Sequence, residues 1–186
     1  SGQADSIVAV GHQVMRGDLT SAADGTTAVG AFALGALTSG AGNTTVGFES
    51  GNDITTGARN TAVGYQSMDG LTVGEDNSAF GYGALGGAST SAENKRNTAI
   101  GTSAMSGTNA GAAQNTAIGY ESLDGALTAT ADNNVAIGYS ASSGITSGSE
   151  NIAIGANALL EATTPQYTVA IGNSAMGGAV VTGDSN

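Results

Sequence analysis

The chain's stock of groups for chemistry is small: one histidine, fifteen aspartates and glutamates, four lysines and arginines, and no cysteine in 186 residues. Acid–base catalysis needs a base within hydrogen-bond reach of a partner. His12, the only histidine, has no recognisable partner and reads as a surface or turn residue. The adjacent carboxylates Glu75 and Asp76 fall in a turn and read as solvated loop charge. The Gly-rich calcium nonapeptide with its fixed aspartate is absent. No helix follows the scattered GxG strings, so they lack what a phosphate loop requires. Without cysteine there is no disulfide, thiolate chemistry or Cys-ligated zinc. No catalytic residue, metal ligand or cofactor is expected, and the chain does not read as an enzyme.

Groups that recur at regular intervals point instead to recognition. Phe48, Tyr65, Tyr82, Tyr120 and Tyr139 each follow a glycine in the same local context and would stack as a ladder, a structural feature whose aromatic faces also suit glycan contact. Thr38, Thr55, Thr72, Thr146 and Thr163 occupy equivalent places in a second recurring motif. An outward threonine ladder of this kind is how some β-solenoids bind ice, which makes ice binding the alternative function. An RGD tripeptide at Arg16 to Asp18 lies in a stretch long enough to be exposed, but three residues carry little specificity.

What positions these residues is a repeat. Aligned on one glycine per copy, the chain shows Gly11, Gly30, Gly47, Gly64, Gly81, Gly101, Gly119, Gly138, Gly155 and Gly172, ten copies at a period of 17 to 20 residues. Such an array is a solenoid. Before each glycine stands Val, Ile or Phe, as in Val63, Phe80 and Ile118, and two residues earlier Thr, Ser, Val or Ile, as in Thr61, Ser78 and Thr116. This alternation of β-branched residues predicts a short strand per copy. Five residues after the Val/Ile column comes a second apolar column of Leu and Met, interrupted by Gly51 and Ser142, and an Asn column from Asn43 to Asn151 opens most copies. Asn amides stacked from coil to coil can hydrogen-bond to one another. The strings LTSG at Leu37, ITTG at Ile54, LTVG at Leu71 and ITSG at Ile145 predict a second short strand and turn. The expected architecture is all-β: a parallel β-solenoid, narrow and flattened, forming a rod on the order of 48 Å long at ~4.8 Å per coil.

Between the two β-branched columns stands alanine, a poor strand former: Ala9, Ala28, Ala62, Ala79, Ala99, Ala117, Ala136, Ala153 and Ala170, with Thr45 the exception. If Val and Ile fill the coil, alternation turns the Ala column outward, where something must pack closely. Ala28, Ala62, Ala79, Ala99, Ala117, Ala136, Ala153 and Ala170 are therefore the expected contacts to a partner chain.

Composition narrows the partners. A formal charge of −11 gives nucleic acid and anionic membranes the wrong electrostatic sign, and no apolar run is long enough to insert in a bilayer. With 31 glycines, 4% aromatic residues and no tryptophan the core must be thin, so assembly should matter. The final residues VVTGDSN repeat the second-strand motif and end on Asn186, where an eleventh copy would open, so the chain, a single repeat domain over 1–186, reads as part of a longer fibrous protein.

The copies NNVAIGYSA (Asn133 to Ala141) and ENIAIGANA (Glu150 to Ala158) resemble the repeats of YadA-like trimeric autotransporter adhesin heads, and NTAVGYQSM (Asn60 to Met68) resembles repeats in bacteriophage tail fibres. The resemblance spans nearly the whole chain. It implies a left-handed parallel β-roll, three identical chains packed side by side, and attachment to a host-cell glycan or protein from a virion tail fibre or a bacterial outer surface.

Overall fold

The computed structural model describes residues 6–87, 89–178 and the backbone of 182–184. One three-residue strand per copy forms where the columns predict it: β1 (Val8–Val10), β2 (Thr27–Val29), β3 (Thr44–Val46), β4 (Thr61–Val63), β5 (Ser78–Phe80), β6 (Thr98–Ile100), β7 (Thr116–Ile118), β8 (Val135–Ile137), β9 (Ile152–Ile154) and β11 (Val169–Ile171). They make one ten-stranded sheet in chain order, every pair parallel. Register follows the columns, with Ala99 beside Ala117 and Ala117 beside Ala136. The chain is thus an all-β parallel solenoid of about ten turns, and its one helical element among the described residues is a single 3-10 turn at Ser21–Ala23.

The facing of the sheet is opposite to the sequence-based expectation. Ala28, Ala62, Ala79, Ala99, Ala117, Ala136 and Ala153 are 0% exposed within the single chain, and Ala170 is 2% exposed. They line the coil interior and are not the surface offered to a partner. Their small size does reflect a close neighbour, but that neighbour is the chain's own opposite wall. Leu34, Leu37, Ile54, Met68, Leu71, Leu85, Met105, Leu123, Leu127, Ile145 and Leu159 come from that wall and are fully buried in the same cluster. A sheet side chain larger than a methyl group would compete with them for the volume. Val and Ile consequently point out.

The turn after each strand uses backbone conformations that the columns do not announce. Leu34, Met68, Leu85, Met105, Leu123, Leu159 and Met176 adopt positive φ, as do Gln66, Ser103 and Glu121 two residues before their respective Leu or Met. Non-glycine residues there cost about 1 kcal/mol or more each. The ladder repays it: Gln66 N–H donates back to Phe48 O at 2.9 Å, and Met68 N–H donates forward to Ala84 O at 2.9 Å. Alternate amides therefore bond to opposite neighbouring coils. The aligning glycine is required for a different reason: Gly101 has φ of 131°, and a Cβ there would stand 2.6 Å from Gly119 O of the next coil.

The Asn column forms a buried ladder, as its spacing predicts. Asn43, Asn60, Asn77, Asn97, Asn115, Asn134 and Asn151 are all 0–1% exposed. The Oδ1 of each accepts from both the backbone N–H and the Nδ2 of the next, as Asn60 Oδ1 does from Asn77 at 3.1 Å each. Each Nδ2 also donates to a main-chain carbonyl, such as Asn60 to Gly74 O at 2.8 Å. Thr168 N–H closes the ladder on Asn151 Oδ1.

The second side of the coil is less regular than two strands per turn. Leu37, Ile54, Leu71 and Ile145 do point into the core, but their stretches meet neighbouring coils mostly through single contacts, such as Thr55 N–H to Thr72 O at 2.9 Å and the isolated bridge between Leu71 and Ser89. Among the described residues only β10 (Thr164–Gln166) and β12 (Thr182–Asp184) form a true parallel pair there. Glycines and positive-φ corners interrupt the extended backbone before a strand can form. Asn186, where an eleventh copy would begin, lies outside the described residues.

The two column exceptions in the third copy compensate for each other. Thr45 is buried in the Ala column, and a Cβ at Gly51 would meet Thr45 Cγ2 at 3.1 Å, Leu34 Cδ2 at 3.1 Å and Ile54 Cδ1 at 3.0 Å. The Thr methyl occupies the room that Leu or Met fills elsewhere. Thr45 Oγ1 has no hydrogen-bond partner. Gly51→Ala alone is expected to destabilise by about 2–3 kcal/mol through overpacking and through the left-handed φ of 62° at this position, and Thr45→Ala to relieve the part due to its methyl, with a coupling of roughly 1 kcal/mol in a double-mutant cycle followed by urea denaturation. Additive effects would show that the two exceptions are independent.

Candidate functional site

Turning Ala inward leaves two β-branched columns on the outer face of the sheet. One runs through Thr27, Thr44, Thr61, Ser78, Thr98, Thr116, Val135, Ile152 and Val169, and the other through Val29, Val46, Val63, Phe80, Ile100, Ile118, Ile137, Ile154 and Ile171, with Val8 and Val10 at the start. Val10, Val46, Phe80, Ile100, Ile154 and Ile171 are 37–65% exposed. No position in either column is charged, although the chain carries −11. The face is uncharged and regular, a column of Thr, Ser, Val and Ile beside a column of Val, Ile and Phe, about 43 Å long over the nine spacings of ten strands. The sequence-based expectation puts these Val and Ile residues in the coil interior, and the structure puts them on the outside.

Beyond the glycine bend, the aromatic column forms two stacks. Phe48, Tyr65 and Tyr82 are stacked with ring centroids 5.1 and 5.5 Å apart, and Tyr120 and Tyr139 are stacked at 5.5 Å. All five rings are exposed. Phe32, which the column alignment passes over because it stands one residue later, swings in to link His12 and Phe48 by edge contacts at 5.5 and 5.7 Å. His12 is thus the terminal ring of a ladder. Arg16 of the RGD tripeptide lies with its guanidinium 5.5 Å from the Phe32 centroid, against this ladder. The Tyr120 phenol is pushed up by its bond to the Glu121 carboxylate.

The threonine column of the second side spends its hydroxyls within the fold. Thr38 Oγ1 donates to Thr55 O at 3.1 Å, Thr55 to Thr72 O at 3.2 Å, Thr72 to Ser89 O at 2.8 Å, and Thr146 to Thr163 O at 3.1 Å. Thr128 belongs to the same line, since its N–H bonds Thr146 O. The longer coils between Thr72 and Thr128 hid that from the motif.

Glu75 and Asp76 are not merely solvated charge. Arg59, one coil earlier, bonds Asp76 Oδ1 through Nε at 2.6 Å and Glu75 Oε2 through Nη2 at 2.7 Å. These bonds hold the Asp76 carboxyl below its ordinary range. Asp69 is shifted the other way by burial and by the nearby Asp53 and Glu49 carboxylates. Among the described residues there is no enclosed pocket, no group of three or more His, Cys, Asp or Glu arranged to hold a metal ion, and no helix long and apolar enough to cross a membrane. The chemistry this surface can do is contact: apolar burial on the sheet face and ring stacking along the aromatic column. No family model, curated protein or solved structure gives a significant match to the chain.

Proposed function

We propose that this chain is a non-enzymatic segment of a homotrimeric attachment fibre, with the Val/Ile and Thr/Val columns of three chains meeting at the fibre axis. The observation that carries the reading is the uncharged ten-strand face on a chain of net charge −11. Like-charged copies can meet there without burying an unpaired charge. Ten three-residue strands make a face about 43 by 10 Å, on the order of 400 Å², which a trimer divides between two neighbours. A left-handed roll, three chains, and adhesion to a host surface from a virion tail fibre or bacterial envelope follow from the resemblance of the repeats to YadA-like heads and phage fibres.

Sedimentation equilibrium tests the assembly: the chain is expected to sediment at about three times 17.8 kDa. Paired Ile118→Asp and Ile137→Asp substitutions, which put charge on adjacent rungs of the face, should return it to 17.8 kDa with its β circular dichroism unchanged. A wild-type chain that stays monomeric at high concentration rejects the trimer.

One observation favours a second reading, ice binding, on a different surface from the Thr38 column. Thr27, Thr44, Thr61, Thr98 and Thr116 stand at strand spacing on the flat face, whereas the Thr38 column donates its hydroxyls internally. The two functions need the same face. Thermal hysteresis from a monomeric chain supports ice binding, and its absence together with trimerisation supports the fibre.

A further inference from the structure

The aromatic column has one missing rung between its two stacks. Tyr82 is covered on one ring face by Tyr65, and Tyr120 on one face by Tyr139, at interplanar angles of 17° and 8°. The rung between them is Thr102, whose exposed side chain is far shorter than a tyrosine. One face of Tyr82 and one face of Tyr120 therefore look at each other along the rod, two coils apart, or ~10 Å. The floor of this slot is the Thr102 hydroxyl and methyl, and Gly83 leaves one flank open, since a Cβ there would meet nothing within 4 Å. Main-chain bonds set the spacing of the three rungs, Ser103 N–H to Tyr82 O at 2.9 Å and Glu121 N–H to Thr102 O at 3.1 Å, and stacking on Tyr65 and Tyr139 backs the two rings. The slot is preformed, so a ligand does not have to order it.

Its width selects among flat and puckered rings. A planar ring sandwiched at van der Waals distance needs about 7 Å between walls, whereas a chair-form sugar with C–H contacts on both sides needs roughly 9 Å. Charge selects further. Arg16 lies over Phe32, Arg59 is paired with Glu75 and Asp76, and Lys95 and Arg96 act on the same Asp76, while Glu121 stands at the rim of the slot, bonded to the Tyr120 phenol. An anionic sugar is disfavoured there, and a neutral one can present its ring hydroxyls to Thr102, Ser103 and Glu121.

We propose that Tyr82, Thr102 and Tyr120 form a subsite for one neutral hexopyranose ring, stacked between the two tyrosines. It deepens the attachment reading and rests on that reading for its biological role, while the slot itself belongs to a single chain.

Saturation-transfer NMR with the methyl glycosides of β-glucose, β-galactose and α-mannose, and with methyl sialoside as the anionic control, tests it on the intact chain. Transfer is expected to at least one neutral glycoside and not to the sialoside, with millimolar affinity. Thr102→Tyr fills the missing rung; it should keep or raise the melting temperature and weaken binding at least tenfold. Tyr82→Ala should weaken binding similarly, and Ala156→Tyr, which lengthens the ladder beyond Tyr139, should leave it unchanged. No transfer to any neutral glycoside, or equal transfer in wild type and Thr102→Tyr, overturns the subsite. Sedimentation of the same samples separates the two proposals: a trimer without transfer removes only the subsite, and a monomer with transfer removes only the fibre.

Discussion

Asn115→Ala should cost about 4 kcal/mol, a large part of the 5–15 kcal/mol by which a domain of this size is stable. The amide it removes makes four hydrogen bonds. Its Nδ2 donates to Ala131 O at 2.8 Å and Asn97 Oδ1 at 3.3 Å, and its Oδ1 accepts from Asn134 N at 2.9 Å and Asn134 Nδ2 at 3.1 Å. Two partners keep other bonds: Asn97 Oδ1 retains the Asn115 N–H, and Asn134 Nδ2 retains Gly148 O. The Asn134 N–H and the Ala131 carbonyl lose the bonds that Asn115 gives them. Each buried group left unpaired costs about 1–3 kcal/mol, and the void adds to that. Chemical denaturation should show the loss, and hydrogen exchange should place it at the coils on either side of Asn115. Asn115→Asp tests the mechanism more sharply. The carboxylate fills the space but puts a charged acceptor against the Asn97 and Ala131 oxygens, so burial should raise its pKa. Its folded-state pKa then exceeds the unfolded value, and the variant should gain stability as pH falls through that window. Wild-type-like stability of both variants at neutral pH would mean that the ladder is dispensable.

The period, the strands, the Asn ladder and the in-register columns were legible because each depends on spacing and residue type alone. The facing of the sheet was not. Alternation says which residues share a face and leaves open which face is inward, and the rule that large apolar residues go inside chose wrongly between Ala and Val/Ile. The far wall already fills the coil with Leu and Met, so only methyl groups fit opposite. A signal was present: Thr61, Ser78 and Thr98 share the face of Val and Ile, and polar residues mix freely only where water or a partner can reach. The positive-φ corners were faintly legible too. Gly42 before Asn43, Gly83 two residues after Gly81, and Gly51 in the Leu/Met column mark the three corner positions where Arg59, Gln66 and Met68 adopt the same conformation. Phe32 escaped because a one-residue offset moved it out of its column. The missing rung at Thr102 is visible in the sequence only as an absent aromatic, and gains meaning once Tyr82 and Tyr120 are known to be stacked on their far sides.

Ala117→Leu separates the inner face from the outer one. Ala117 is 0% exposed in the middle of β7, in the same packed cluster as Met105, Leu123 and Leu127. Three added carbons have nowhere to go without moving that wall or the strand. Overpacking commonly costs 1–3 kcal/mol, and a coil held in register on both sides can relax less than most, so about 3 kcal/mol or more is expected. The third copy shows the accommodation a larger residue needs, since Thr45 coexists with Gly51 where other coils carry Leu or Met. The loss should therefore lower the urea midpoint by the same amount at every protein concentration, because the clash lies within one chain. Ile118→Asp, one residue along, should behave in the opposite way: its side chain leaves the coil, the coil stays folded, and the effect is a concentration-dependent loss of association. If Ala117→Leu instead dissociated a stable coil, the alanines would face a partner after all, and the inward packing of the sheet would be refuted.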